Sequence, residues 1–424
     1  MVDTDVLKIY QRNDRFLVLN PLIPSWIVTN INGVLLLKLY ADFQLVDKTI
    51  EAFKEHAAEI PACSCEAFLN KVQRAHLFDD SPSPYIHKPY QLNAVYLNMT
   101  RNCNLHCIYC FAASRKESSD ADLEFDDYVE ILNAIHKYNA SATIIFTGGE
   151  PLLSKLTIPV AQYAKSLGFA RKLMTNGTLI SEGNIQSLME NFDSFKISLD
   201  GSTESAHDFY RGIGSYKKTI HAIQLLEENK ADISLAMVVT QNNKKEVPDM
   251  IKKWGNKLIF QPLFPLGNAC EDKSLHLTGK EYYDVLSEDN NIVPYSDITS
   301  LIDRHTKNHS ILKCAMGDGE ISISSSGDMY PCQLLHDDLF KIGNLKISSF
   351  DDLYNSPKME EFKFHTVDRI KKCNVCDFRL LCGGSCQARH FSEMGTINEA
   401  GNFCEYEKNG IIDGIIKSST IREL

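Results

Sequence analysis

Ten of the thirteen cysteines stand in two groups, and their spacing constrains this chain more than any other feature of it. The first group is Cys103-x-x-x-Cys107-x-x-Cys110; the second comprises Cys314, Cys332, Cys373, Cys376, Cys382, Cys386 and Cys404, while Cys63, Cys65 and Cys270 lie apart. The segment Met1 to Tyr10 carries Asp3 and Asp5 and lacks a charged stretch followed by an apolar core, so no secretory signal is visible and a cytoplasmic chain is expected. In that compartment thiols stay reduced, which makes metal or cluster ligation the leading use for grouped cysteines.

Charge and length remove other classes. Lys plus Arg total 44 against 55 Asp plus Glu, and no stretch is dense enough in cations to hold a phosphate backbone, so nucleic acid is not an expected partner. The uncharged run Phe16 to Leu37 contains Asn20, Pro21, Pro24, Asn30, Asn32 and Gly33, which would strand polar backbone in lipid, so no membrane association is expected.

Hydrophobic periodicity divides the chain in three. Residues 1–82 read as a small winged-helix-like unit, with strands at Leu7–Tyr10, Arg15–Asn20 and Ser25–Thr29 and helices at Gly33–Phe43, Val46–His56 and Cys65–His76. A proline-containing link, Asp79–Pro89, follows. Over residues 91–305 strand-sized runs (Ala94–Met99, Ala142–Thr147, Arg171–Thr175, Ser194–Leu199, Asp232–Val239, Lys257–Phe264) alternate with amphipathic helices, which predicts an α/β fold: a parallel sheet with right-handed crossovers forming a partial (β/α)6 barrel. Residues 306–424 hold the second cysteine group.

In parallel sheets chemistry gathers beyond the carboxyl ends of the strands. Cys103 follows the first barrel strand, Gly148-Gly149-Glu150-Pro151 the second, Thr175-Asn176-Gly177 the third, and Asp200 the fourth. Three thiolates on one loop suit three irons of a four-iron cube, leaving the last iron free. A zinc site completed by His106 is the alternative, and it would leave the glycines and acids on the following strands unexplained.

The cysteine loop with Tyr109 and Phe111, followed by Gly148-Gly149-Glu150-Pro151, resembles the radical S-adenosylmethionine superfamily over roughly residues 92–267. The resemblance implies one 4Fe-4S cluster held by Cys103, Cys107 and Cys110. Its open iron would take the amino and carboxylate groups of S-adenosylmethionine, and an electron would cleave the cofactor to a 5'-deoxyadenosyl radical. Gly148 and Gly149 let backbone approach closely, and Glu150 is suited to accepting from an ammonium. Ser198 and Asp200, two apart along a strand, are expected to share a face and meet ribose hydroxyls. Arg211 resembles the arginine that pairs with the cofactor's carboxylate. Tyr109, Pro151, Thr175 and Asn176 complete the expected cofactor surround. No catalytic base is identified.

The C-terminal cysteines resemble the seven-cysteine SPASM extension, which implies two auxiliary iron-sulfur clusters of the 4Fe-4S type. By analogy Cys373, Cys376, Cys382 and Cys404 would hold the outer one and Cys314, Cys332 and Cys386 the inner one. That leaves the inner cluster one ligand short, open to Cys270, another group, or a substrate thiolate; zinc is again the alternative. A flavodoxin or ferredoxin is the implied reductant.

The N-terminal unit loosely resembles the peptide-recognition element of enzymes that mature ribosomally made peptides, which binds a leader by strand addition; a structural cap is the alternative. The expected function is thus a peptide maturase acting on a precursor peptide with a leader, installing a cysteine-to-carbon thioether. Carbon-carbon crosslinking, epimerisation and formylglycine formation are enzymatic alternatives, and an iron-sulfur carrier or peptide-binding scaffold the non-enzymatic one. Cys63 and Cys65 read as surface or helix-cap thiols.

Overall fold

The computed structural model describes residues 7–23, 25–79, 91–114, 122–270, 272–287 and 313–419. The link from residue 80 to 89 and the boundaries placed at 82 and between 305 and 306 fall outside the described residues.

The chain opens with strands β1 (Lys8–Arg12), β2 (Arg15–Asn20) and β3 (Ser25–Thr29) in an antiparallel sheet of order β1-β2-β3, followed by helices α1 (Ile31–Phe43), α2 (Val46–Lys54) and α3 (Ala62–Arg74). Asn30 starts α1 by accepting a 3.0 Å hydrogen bond from the Gly33 N–H, one of the donors that a helix leaves unpaired at its first turn. The run Phe16-Leu17-Val18-Leu19 is apolar on both faces because β2 is covered on both. Val18 packs with α1–α3, while Leu17 and Leu19 face the C-terminal helix Cys404–Ser418 through Ile411, Ile412, Ile415 and Ile416.

Polar contacts fix that seam. Tyr10 donates to Asp377 at 2.8 Å, Arg12 Nε to Asp413 at 2.7 Å, and Arg15 to the Ile416 carbonyl at 3.1 Å. Cys65, expected near the surface, is instead fully buried in the core of α1–α3, because the first turn of α3 points it inward beside Phe68 and Leu69; Cys63 is exposed.

The expected alternation appears as six parallel strands: β4 (Ala94–Asn98), β5 (Thr143–Thr147), β6 (Ala170–Thr175), β7 (Ser194–Ser198), β8 (Asp232–Val239) and β9 (Leu258–Pro262). Helices α4 (Phe125–Tyr138), α5 (Thr157–Ser166), α6 (Ile185–Asn191), α7 (Glu204–Arg211), α8 (Ser215–Glu228) and α9 (Val247–Trp254) lie between them, and α10 (Gly279–Ser287) follows β9. Leu97, Ile144, Phe146, Leu173, Phe195, Ile197 and Leu235 from the strands join Ile135, Val160, Leu188 and Leu226 from the helices in one core.

The sheet does not stop at six strands. On the free side of β4, strand β10 (Glu320–Ile323) adds in parallel, and β11 (Asp328–Tyr330) and β12 (Gly343–Asn344) continue antiparallel, giving the order β12-β11-β10-β4-β5-β6-β7-β8-β9. The cysteine-rich C-terminal region is therefore built onto the barrel edge, with Glu320 opposite Ala94 and Ser322 opposite Tyr96. No helix among the described residues is long and apolar enough to cross a membrane.

Candidate functional site

The loop bearing Cys103, Cys107 and Cys110 leaves the end of β4 and is held from three sides. After β5, Gly149 N–H donates to the Thr100 carbonyl at 2.7 Å and Glu150 N–H to the Asn102 carbonyl at 2.8 Å. Ile108 N–H donates to Tyr210 at the end of α7, and Asn268 N–H to the Cys110 carbonyl at 3.0 Å. The glycines are required here. Gly148 has φ +131°, and a Cβ on it would lie 2.4 Å from the Thr100 carbonyl oxygen; on Gly149 it would lie 2.2 Å from that of Asn102.

Glu150 braces this junction. It is fully buried, and its oxygens accept from Leu152 N–H at 3.2 Å, from the Thr175 hydroxyl at 2.7 Å and from Asn176 N–H at 3.0 Å. Burial pushes its carboxyl up and these hydrogen bonds oppose the shift. The side chain expected to meet an ammonium thus ties β5 to β6. Asn176 reaches the cysteine loop, donating to Asn104 at 3.0 Å, with its Nδ2 4.0 Å from Cys103 Sγ.

Asp200 is likewise placed differently from expectation. β7 ends at Ser198, so the alternation that would put Ser198 and Asp200 on one face does not extend to Asp200. Its buried carboxylate accepts hydrogen bonds from Arg211 Nε and the Tyr109 hydroxyl, and from Val238 N–H at 2.9 Å. Arg211 Nη2 closes the triangle on Tyr109 at 3.0 Å. Burial disfavours the Arg211 cation, and the Asp200 carboxylate more than restores it. The cation faces the cysteine loop: burial lifts Cys107 to about 11, and Arg211 pulls against that shift.

The thiols sort into three sets by which ones feel each other's charge. Cys103, Cys107 and Cys110 form one, Cys314, Cys332 and Cys386 a second, and Cys373, Cys376, Cys382 and Cys404 a third. All thirteen cysteines are free thiols. Burial raises Cys103 and Cys107 of the first set, Cys314, Cys332 and Cys386 of the second, and Cys373, Cys382 and Cys404 of the third, Cys314 to about 12 and Cys373 to about 11, so these thiols keep their protons at neutral pH unless a metal takes their place. Among the described residues no three His, Cys, Asp or Glu side chains are arranged to hold a single metal ion. A cluster of several irons instead gives each thiolate its own iron, and these donor sets suit it.

The profile of the radical SAM superfamily matches residues 97–253, from the end of β4 through α9, and that of an iron-sulfur cluster-binding domain, SPASM, matches 314–377. The chain carries a radical SAM domain and a SPASM domain. It is accordingly an enzyme that works with S-adenosylmethionine and iron-sulfur clusters. Relatives of this radical SAM chain include an AdoMet-dependent heme synthase of Oleidesulfovibrio alaskensis, 27% identical over 347 residues, covering 73% of this chain and 86% of the relative. A cysteine-type anaerobic sulfatase-maturating enzyme of Clostridium novyi is 27% identical over 351 residues, covering 73% and 92%. Among solved structures, Streptococcus suis SuiB bound to precursor peptide SuiA shares the fold at 14% identity, with a TM-score of 0.58 over 95% of this chain and 99% of SuiB.

The radical SAM barrel encloses a cavity of about 240 Å³ at the carboxyl ends of its strands. Cys103, Cys107, Cys110, Tyr109, Gly148, Gly149, Thr175, Asn176, Ser198 and Arg211 line it; Glu150, Pro151 and Asp200 stand behind its wall. Gln333 and Leu334, directly after Cys332, close another side, and Leu334 packs in one apolar cluster with Cys314, Cys332 and Cys386.

Lys196 also lines the cavity, and it was not singled out from the sequence. The signal was there: in Ser194-Phe195-Lys196-Ile197-Ser198 the apolar residues face the helices, so Lys196 must point inward. Burial, and then the neighbouring Lys172, push its ammonium from the ordinary ~10.4 down to about 8. The folded protein holds this proton less tightly than the unfolded chain, so the contribution of Lys196 to stability is lowest below about pH 8 and rises as the pH climbs towards ~10.4. Lys196→Met should abolish that rise. Urea midpoints at about pH 7.5 and 10 test it, and the same gain in both proteins would show that Lys196 is not the group responsible.

Proposed function

We propose that this radical SAM enzyme matures a ribosomally made precursor peptide, and that its product is a thioether between a cysteine sulfur and a carbon of another residue. Cys103, Cys107 and Cys110 hold the cluster that binds S-adenosylmethionine; bound together they supply a 5'-deoxyadenosyl radical. Tyr109, Arg211, Ser198 and the Gly148-Gly149 backbone form the wall against which the cofactor lies. The buried Asp200 keeps Arg211 charged and aimed at that wall. Apolar groups opposite, Met174, Val238, Leu263 and Phe264, exclude water and stray hydrogen donors.

Cys373, Cys376, Cys382 and Cys404 are assigned to the outer auxiliary cluster, and Cys314, Cys332 and Cys386 to the inner one. The observation that carries the peptide reading is the position of the inner set. It adjoins the reacting cavity through Cys332-Gln333-Leu334, close enough for the electron left after substrate oxidation to pass to iron. The N-terminal unit supports it. It is clamped onto the outer cysteine region through Tyr10–Asp377 and the shared apolar core, and β1 and β3 are the outer strands of its sheet, a suitable edge for a leader peptide. A flavodoxin or ferredoxin supplies the electron.

Coexpression with a short cysteine-bearing peptide encoded nearby tests the reading by mass spectrometry. A thioether removes two hydrogens per crosslink and retains the sulfur. Conversion of cysteine to formylglycine, the reaction class suggested by the sulfatase-maturating relative, replaces sulfur by oxygen. Sulfur loss would overturn the thioether assignment, and an unmodified mass with unaltered stereochemistry would overturn the peptide reading.

A further inference from the structure

The inner set is one ligand short when cysteines alone are counted, and the structure brings a carboxylate to it. Cys314 begins a tight loop that returns at Glu320. Glu320 N–H donates to the Ala315 carbonyl at 2.9 Å, and Gly317 N–H lies 3.0 Å from the Glu320 carbonyl and 2.9 Å from that of Pro331, the residue before Cys332. The loop is locked by a buried ion pair, Lys313 Nζ to Asp318 Oδ1 at 2.8 Å, with Asp318 also accepting from Gly319 N–H at 2.8 Å. Backbone geometry therefore fixes Glu320 beside both Cys314 and Cys332.

The side chain turns to the thiols. Strands β10 and β11 pair antiparallel with Ser322 opposite Tyr330, a register that continues to Glu320 opposite Cys332, and Cys314, Cys332 and Cys386 all feel the Glu320 charge. With the thiols ionised as ligands, three thiolates and a carboxylate in a buried site repel one another; among the described residues Arg389 acts on Cys386, and Lys313, already paired with Asp318, on Cys314. Such a group is tolerable when a multiply charged metal centre binds it. The other candidate, Cys270, is exposed and donates its thiol to the Pro265 carbonyl at 2.9 Å, and it is not among the groups that act on the inner set.

We propose that Glu320 is the fourth ligand of the inner auxiliary cluster, binding through a carboxylate oxygen where a cysteine would otherwise stand. This rests on the assignment of Cys314, Cys332 and Cys386 to one cluster. The inner cluster is then fully held by protein, and the substrate's cysteine sulfur is not required as a ligand. Carboxylate is an accepted donor to iron, and as an anion it keeps the charge that a fourth thiolate would give.

The test uses the full chain carrying Cys103→Ala, Cys107→Ala and Cys110→Ala, reconstituted without oxygen so that only auxiliary clusters contribute. Glu320→Ala should lose one iron, turning one four-iron cluster into a three-iron one with its own paramagnetic signal when oxidised. Glu320→Cys should keep the iron count and shift the g-values. In protein with unaltered Glu320, glutamate labelled with 13C should give a hyperfine coupling to the reduced inner cluster, and Glu320→Cys should remove it. Full iron with an unchanged spectrum in Glu320→Ala, or no 13C coupling, overturns the proposal. Removing Cys314, Cys332 and Cys386 separately distinguishes the causes: if that leaves the iron content intact, the cluster assignment itself has failed.

Discussion

Asp200→Ala should lower folding stability by about 3–5 kcal/mol, the usual cost of removing one partner from a buried ion pair. Asp200 is fully buried and Arg211 nearly so, and the guanidinium also donates to the hydroxyl of the buried Tyr109. Deleting the carboxylate therefore strands a cation away from water. It also removes an acceptor from Val238 N–H. The double change Asp200→Ala with Arg211→Met should be less damaging than Asp200→Ala alone, because no charge is then left unpaired. Urea unfolding of the three variants measures this, and additive losses would show that the pair is not coupled. Arg211→Met should in addition weaken S-adenosylmethionine binding, since Arg211 lines the cavity beside the cysteines.

Much of the site was legible because its positions follow from strand periodicity. Apolar runs alternating with amphipathic helices located β4 to β9 to within two residues at either end, and that placed the cysteine loop, Gly148-Gly149 and Thr175-Asn176 at one end of the sheet. What periodicity does not carry was missed. Asp200 lies past the end of β7, so its partners depend on α7 and β8 rather than on alternation. That Glu150 also braces β5 against β6, accepting from Leu152, Thr175 and Asn176, is likewise outside what periodicity carries. Strand β10 pairs with β4 across more than two hundred residues, as in Asn98 donating to Ser322 at 3.0 Å, and nothing local announces such a pairing. Glu320 was invisible for the same reason: only the folded loop from Lys313 to Glu320 brings it to Cys332.

The second large effect is expected at the first cysteine set. Replacing Cys103, Cys107 and Cys110 together by alanine should abolish reductive cleavage of S-adenosylmethionine while leaving the auxiliary sets in place. The first loop is held by hydrogen bonds from Glu150, Ile108 and Asn268 that are backbone in origin, so the loop's path does not rest on its thiols. The three thiols line the cavity, whereas the members of the third set lie in the region packed against β1 to β3. Folding should therefore persist: the unfolding free energy from urea titration should fall by no more than the ~1–3 kcal/mol typical of lost buried groups.

The measurement closest to the central claim is 5'-deoxyadenosine formation by anaerobically reduced, cluster-loaded protein supplied with S-adenosylmethionine. The natural chain should form it, and the triple alanine variant, folded and still carrying its auxiliary iron, should form none above the protein-free background. Equal product from the two proteins would contradict the assignment of Cys103, Cys107 and Cys110 to the cofactor-cleaving cluster.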